Sequence, residues 1–247
     1  MGAFTTFQNT LPDPNNYIAY DGSSTSGHAG RATGPGFASI KFRSQAPVQV
    51  SRTNSGRVIT RGIAGHKWDI DITYNPMTRD DFEPIFSFLL QKNGRLNPFF
   101  IQLPNQYTSR NAAFNTHLGS NVIRNAGTLA AGVSVMKQDN HEDSPLTTGP
   151  QPGDMFTITD ADDSLHTKAY RVTRVTTNDD YLTGSQPAAA ERYVYFTPNL
   201  QRATADNSTI VYTNPKIRVI LKSDVQEYSL GTNNLYTFGL KLEEAQA

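Results

Sequence analysis

Lys67-Trp68-Asp69-Ile70-Asp71-Ile72-Thr73-Tyr74-Asn75-Pro76-Met77-Thr78 opens the stretch that decides the fold, and Phe99-Phe100-Ile101-Gln102-Leu103-Pro104 closes it. Trp68, Ile70, Ile72 and Tyr74 alternate with Lys67, Asp69, Asp71 and Thr73. A period of two describes a strand with one face buried, and Asn75-Pro76 ends it. The period then changes. Phe82, Ile85, Phe86, Leu89 and Leu90 form one apolar stripe at helical spacing, which predicts a helix near 79–93. Thr78 or Asp81 can cap it. With Thr78 as the cap, Pro84 lies in the second turn and removes a backbone hydrogen bond. With Asp81 it falls in the first turn, where proline is tolerated, so Asp81 is the preferred cap. Asn93-Gly94 supplies the stop, because glycine accepts the left-handed conformation there. Phe99, Ile101 and Leu103 alternate again. The unit reads strand, short helix, strand, with the helix laid across a sheet.

Upstream, residues 37–43 and 46–53 read as strands. Asn54-Ser55-Gly56 is a turn, and Arg57-Val58-Ile59-Thr60-Arg61 is the return strand of a hairpin. Between 37 and 67 stand Lys41, Arg43, Arg52, Arg57, Arg61 and Lys67, with no acidic residue. Such a run is either the solvated face of a hairpin or a basic surface for an acidic protein partner or a nucleic acid backbone. Residues 1–20 carry Phe4, Phe7, Tyr17 and Tyr20 among turn residues, an arm expected to pack on its own domain or a neighbour. Residues 21–36 are rich in glycine and serine and read as a flexible loop. Their glycines lack the Gly-Lys-Ser/Thr ending and the strand–loop–helix setting of a phosphate cradle.

Downstream, 105–152 is polar and loop-rich. Short strands are expected at 155–159, 168–175, 193–196 and 210–212, a small inserted β-domain at 106–212. Tyr236, Phe238, Leu240 and Leu242 share one face of a last strand, which needs a sheet to complete. The sheet of the first domain is the natural one, so that domain is discontinuous, 1–105 and 213–247. From 138 to 167 there are seven acidic residues and no Lys or Arg, so the insert and the basic hairpin carry opposite charge.

The whole chain is neutral, with 22 basic and 22 acidic residues in 247. That balance gives no reason to expect specific nucleic-acid binding or an anionic membrane as partner. Cysteine is absent, which excludes disulfides, thiolate metal sites and a cysteine nucleophile. No apolar run approaches the roughly 18 residues of a membrane helix. Asp160, Asp162 and Ser164 have the spacing of a calcium loop, but Leu165 replaces its glycine and Arg171 its bidentate Glu. His141-Glu142 begins like a zinc-protease helix, yet Pro145 stands where the second histidine is needed. The sequence therefore nominates no catalytic residue, no metal site and no cofactor, and the chain is not expected to be an enzyme.

The ordered set of motifs resembles a known family. A Ser-Gly-Arg turn (Asn54-Ser55-Gly56-Arg57) feeds the Trp68 strand. Asn75-Pro76-Met77-Thr78-Arg79, an aromatic-rich helix, Asn93-Gly94-Arg95 and Phe99-Phe100-Ile101-Gln102-Leu103-Pro104 follow. With Gly153-Asp154-Met155-Phe156, Lys168-Ala169-Tyr170-Arg171-Val172, Phe196-Thr197-Pro198-Asn199-Leu200 and the last strand with Glu243, this is similar to the distal tail, baseplate hub and minor tail proteins of tailed bacteriophages. The resemblance covers most of 37–104 and patches of 150–245. It implies a structural virion protein, assembled in the host cytoplasm. Such a protein forms a ring, often a hexamer, that joins the tail tube to the tail tip or baseplate.

In fold, the resemblance implies a mainly β protein: a split β-barrel with one packed α-helix, plus an inserted small β-domain that holds fibre, receptor-binding or baseplate components. Its partners would be other copies of itself, the tail tube protein and the baseplate or tail-tip hub proteins. The charge segregation nominates Arg52, Arg57 and Arg61 as a subunit interface facing acidic residues of a neighbour, which favours a head-to-tail ring over a two-fold dimer. The alternative is a carbohydrate- or receptor-binding β module, for which Tyr193 and Tyr195 on one strand face are the candidate platform.

Overall fold

A computed structural model describes residues 9–11, 37–63, 65–103, 106, 108–142, 148–176 and 188–245. The expected flexible loop at 21–36 and most of the N-terminal arm lie outside these residues. In chain order the elements are β1 (Phe37–Gln45), β2 (Val48–Arg52), β3 (Val58–Gly62), β4 (Lys67–Tyr74), α1 (Arg79–Gln91) and β5 (Phe99–Ile101). Then come α2 (Ala112–Leu118), β6 (Arg124–Asn125), β7 (Val135–Asp139), β8 (Met155–Thr159), β9 (Ala169–Thr176), β10 (Arg192–Thr197) and β11 (Thr209–Val211). The chain ends in β12 (Ile217–Leu221), β13 (Ser229–Leu230), β14 (Tyr236–Thr237) and β15 (Gly239–Glu244). The protein is mainly β and divides into two compact units, Met1–Ile101 with Arg218–Ala245, and Gln102–Ile217.

The discontinuous unit is built on a five-stranded sheet in the order β1-β4-β15-β12-β5. The last strand of the chain enters beside the Trp68 strand, with Leu240 opposite Ile72 and Leu242 opposite Ile70. Trp68, Ile70, Ile72 and Tyr74 are all buried, as the alternation demands. Phe42 of β1 stacks on Trp68 at 4.7 Å. Charges on the sheet are paired: Lys222 with the buried Asp69 at 2.9 Å, and Arg43 with Asp71 at 2.8 Å. Of the arm, Leu11 is fully buried and its amide donates to the Phe100 carbonyl at 2.7 Å, so residues 9–11 run beside β5.

Helix α1 buries Phe82, Ile85, Phe88 and Leu89. Two of its features differ from the sequence pattern. Leu90 is exposed and Phe88 is buried in its place. The buried face centres on Ile85 and Leu89, and at 3.6 residues per turn Leu90 lies well over a quarter-turn from that centre. Phe88 instead meets Phe99 edge-on at 5.6 Å. The cap is Thr78, not Asp81, so Pro84 does lie inside the helix. The Thr78 hydroxyl donates to Asp81 Oδ2 at 2.9 Å, which holds the first turn together although proline supplies no amide hydrogen.

At the other end of α1, Asn93 and Gly94 both have positive φ, 52° and 63°. A Cβ on Gly94 would fall 3.0 Å from the Cα of Asp224. Gly94→Ala is therefore expected to cost about 2 kcal/mol, from backbone strain and this clash together. Urea denaturation read by the fluorescence of Trp68, the only tryptophan, measures it.

The second unit is a closed barrel of six short strands, β10-β7-β6-β11-β8-β9. Closure leaves no edge. Its core includes Phe114, Met136, Phe156, Tyr170, Val194 and Tyr212. The Tyr212 hydroxyl donates to Gln138 Oε1 at 2.9 Å. The closed barrel thus lies in the inserted segment, whereas the resemblance implied a barrel in the discontinuous unit. Among the described residues of that unit the largest sheet has five strands and is not closed, and α1 covers its apolar residues.

A second helix, α2, replaces part of the expected loop at 105–152. Asn111 caps it, its side chain accepting from the amides of Ala113 and Phe114. Only Phe114 of its seven residues is buried, so no periodic stripe marks it.

Candidate assembly surface

Among the described residues β2 and β3 pair only with each other and form a separate two-stranded sheet. The turn is closed by the Thr53 amide on the Arg57 carbonyl at 2.9 Å, with Gly56 at φ 81°. Every residue of both strands is exposed. An isolated hairpin of this length is marginal by itself. This one also leaves Val48, Val50 and Val58 about half in solvent, at 53, 58 and 49 per cent exposure.

The register sorts the side chains. Val48 lies opposite Gly62, Val50 opposite Thr60 and Arg52 opposite Val58. Opposed residues share a face, so one face carries Val48, Val50, Val58, Thr60 and Arg52. The other carries Gln49, Ser51, Ile59 and Arg61, with Arg57 following in the same alternation. The three nominated arginines are thus close in the hairpin but do not share a face. None of them makes an ion pair among the described residues. Arg43 and Lys67, from the same basic run, are instead neutralised by Asp71 and Glu243 of their own unit.

Three acids of the 138–167 stretch, Asp154, Asp160 and Asp163, are engaged inside the barrel unit. Asp154 is buried and accepts from the Ser109 hydroxyl and from the amides of Gln151 and Arg110. Burial would push Asp160 up, but the amides of Ala205 and Asp162 on its oxygens bring it below the usual carboxylate value. Asp163 binds Arg202, a contact that lowers its pKa. Among the described residues no group of three or more His, Asp or Glu is placed to hold a metal.

The histidines also serve packing. Ser44 Oγ lies 2.8 Å from His66 Nε2, and Tyr170 Oη 2.9 Å from His166 Nε2. His141 is buried against Phe114, and burial, with Arg192 and His117 nearby, holds its pKa down at about 3. Tyr193 and Tyr195 lie half-buried on the outer face of β10, and Arg174 covers the Tyr195 ring at 5.3 Å. Among the described residues no helix is long and apolar enough to cross a membrane.

Fold and surface together define a mainly β protein of two compact units, one carrying a closed six-stranded barrel and the other an exposed basic hairpin. Compared with known proteins, the chain matches no family model and no curated protein.

Proposed function

We propose that the chain is a structural subunit of a bacteriophage tail. In this reading it assembles into a ring, hexameric by the resemblance, that joins the tail tube to the tail tip or baseplate. The barrel unit then anchors peripheral components. The observation that carries the reading is the β2–β3 hairpin, with its valine face exposed and its arginines in no ion pair among the described residues. Covering it in an assembly buries apolar area and gives the guanidinium groups carboxylates to bind. The ordered tail-protein motifs of 37–104 support the same class.

An interface that pairs a hairpin arginine with carboxylates weakens as salt screens it. Reversing Arg52, Arg57 and Arg61 together to Glu is expected to weaken self-association at least tenfold, since each charge-assisted hydrogen bond removed is worth about 1–3 kcal/mol. Sedimentation velocity of both proteins at low and moderate salt measures it. Association indifferent to salt and to the reversal sinks the assignment of these residues.

A further inference from the structure

Exposed large apolar residues are grouped in the discontinuous unit. Val48, Val50, Val58, Ile59 and Ile63 lie in or beside the hairpin, and Val225, Tyr228 and Leu230 follow β12. Single exposed apolar side chains are ordinary, but groups of them mark interaction surfaces. The second group adjoins a cleft of about 740 Å³. Asp71 and Thr73 of β4 and Gly239 and Lys241 of β15 line one side, and Val225, Glu227 and Tyr228 line another. That volume is in the range of binding sites for a ligand or a few inserted side chains.

The cleft holds what the hairpin lacks. Asp71 Oδ2 already accepts from Arg43 and its Oδ1 is buried, so the acid open to a partner is Glu227. Glu227 makes no ion pair among the described residues. Val225 is 70 per cent exposed, a ready apolar partner for valine side chains.

The geometry points to a head-to-tail interface between copies of this chain. The Val48, Val50 and Val58 face of one copy's hairpin docks in the cleft of the next, and Arg52 reaches Glu227. Hairpin-to-hairpin pairing is the poorer arrangement, since it brings like-charged arginines together with no acid in either strand. Two different surfaces on one chain make a heterologous contact, which closes as a ring or runs on as a filament. The inference rests on the ring-subunit reading above and gives that ring its two surfaces. It also separates the arginines: Arg52 lies in the contact, and Arg57 and Arg61 are on the face turned away.

The absence of native cysteine allows a direct test. Val50→Cys and Val225→Cys full-length proteins are prepared separately, then mixed and treated with a short bis-maleimide, with the solution mass followed in parallel. The expected result is a cross-linked dimer in the mixture only, and a ladder of higher multimers when both changes sit in one chain. Arg52→Glu should abolish the cross-link, Glu227→Arg in the other copy should restore it in part, and Arg57→Glu should leave most of it. An oligomer by mass that gives no mixed cross-link, or cross-links Val50→Cys to itself, overturns the hairpin-in-cleft pairing and leaves the ring reading standing. A monomer at every concentration overturns both.

Discussion

Phe82→Ala is expected to destabilise the discontinuous unit by about 3–5 kcal/mol, the usual range for an aromatic-to-alanine change in a core. Phe82 is 1 per cent exposed and is the hub of an aromatic cluster. It stacks on Tyr236 at 4.5 Å and on Phe86 at 5.2 Å, and meets Tyr228 at 4.9 Å and Phe238 at 5.8 Å. One ring therefore ties α1 to the strands at the far end of the sequence and to the segment that lines the cleft. Alanine removes the ring pairings, worth about 0.5–1.5 kcal/mol each beyond area, and leaves a cavity. Urea denaturation read at Trp68 gives the number. Phe82→Leu, which keeps much of the volume, should lose clearly less. A loss under about 1 kcal/mol for the alanine variant, well below the usual range, would show that the cluster does not hold the unit together.

The second large effect depends on pH. His141 is buried with both ring nitrogens unpartnered among the described residues, and its pKa in the fold is about 3 against an ordinary 6.5. Between those values the unfolded chain binds a proton that the folded chain refuses. Stability is therefore full above pH 6.5 and falls as pH drops towards 3, at about 1.4 kcal/mol per pH unit. By about pH 4.5 the loss is about 3 kcal/mol. His166, whose burial also lowers its pKa, acts in the same direction. His141→Phe keeps a ring against Phe114 and cannot be protonated. Its stability relative to the unaltered protein in urea denaturation, followed by circular dichroism, should rise steadily from about pH 7 to about pH 4.5. A pH-independent difference would mean that His141 is not held neutral by the barrel.

Much of the discontinuous unit was legible in the sequence because its signals are long. Eight residues of clean alternation define β4, and the closing Leu240 and Leu242 pattern requires a partner sheet, which β4 supplies. The helix was legible in its stripe but not in its exact face, since Phe86, Phe88 and Leu90 are all apolar and only packing against Phe99 and Phe238 decides among them. The Thr78 cap was obscured by Pro84, whose local cost is offset by the buried aromatic face. Barrel closure was not readable, because strands as short as Arg124–Asn125 have no periodicity. α2 was announced only by the cap residue Asn111. For the candidate surface, the arginines and their lack of nearby acids were visible. Their division between two faces was not, because it depends on the strand register. The cleft joins residues around 71, 225 and 240, and no local pattern could have pointed to it.

The most direct measurement of the central claim is the mass of the purified full-length protein in solution. Light scattering at low and moderate salt, across a range of concentrations, provides it. A ring subunit should give a discrete closed oligomer, a hexamer by the resemblance, whose population falls as salt rises. A strict monomer at every concentration in low salt would contradict the account.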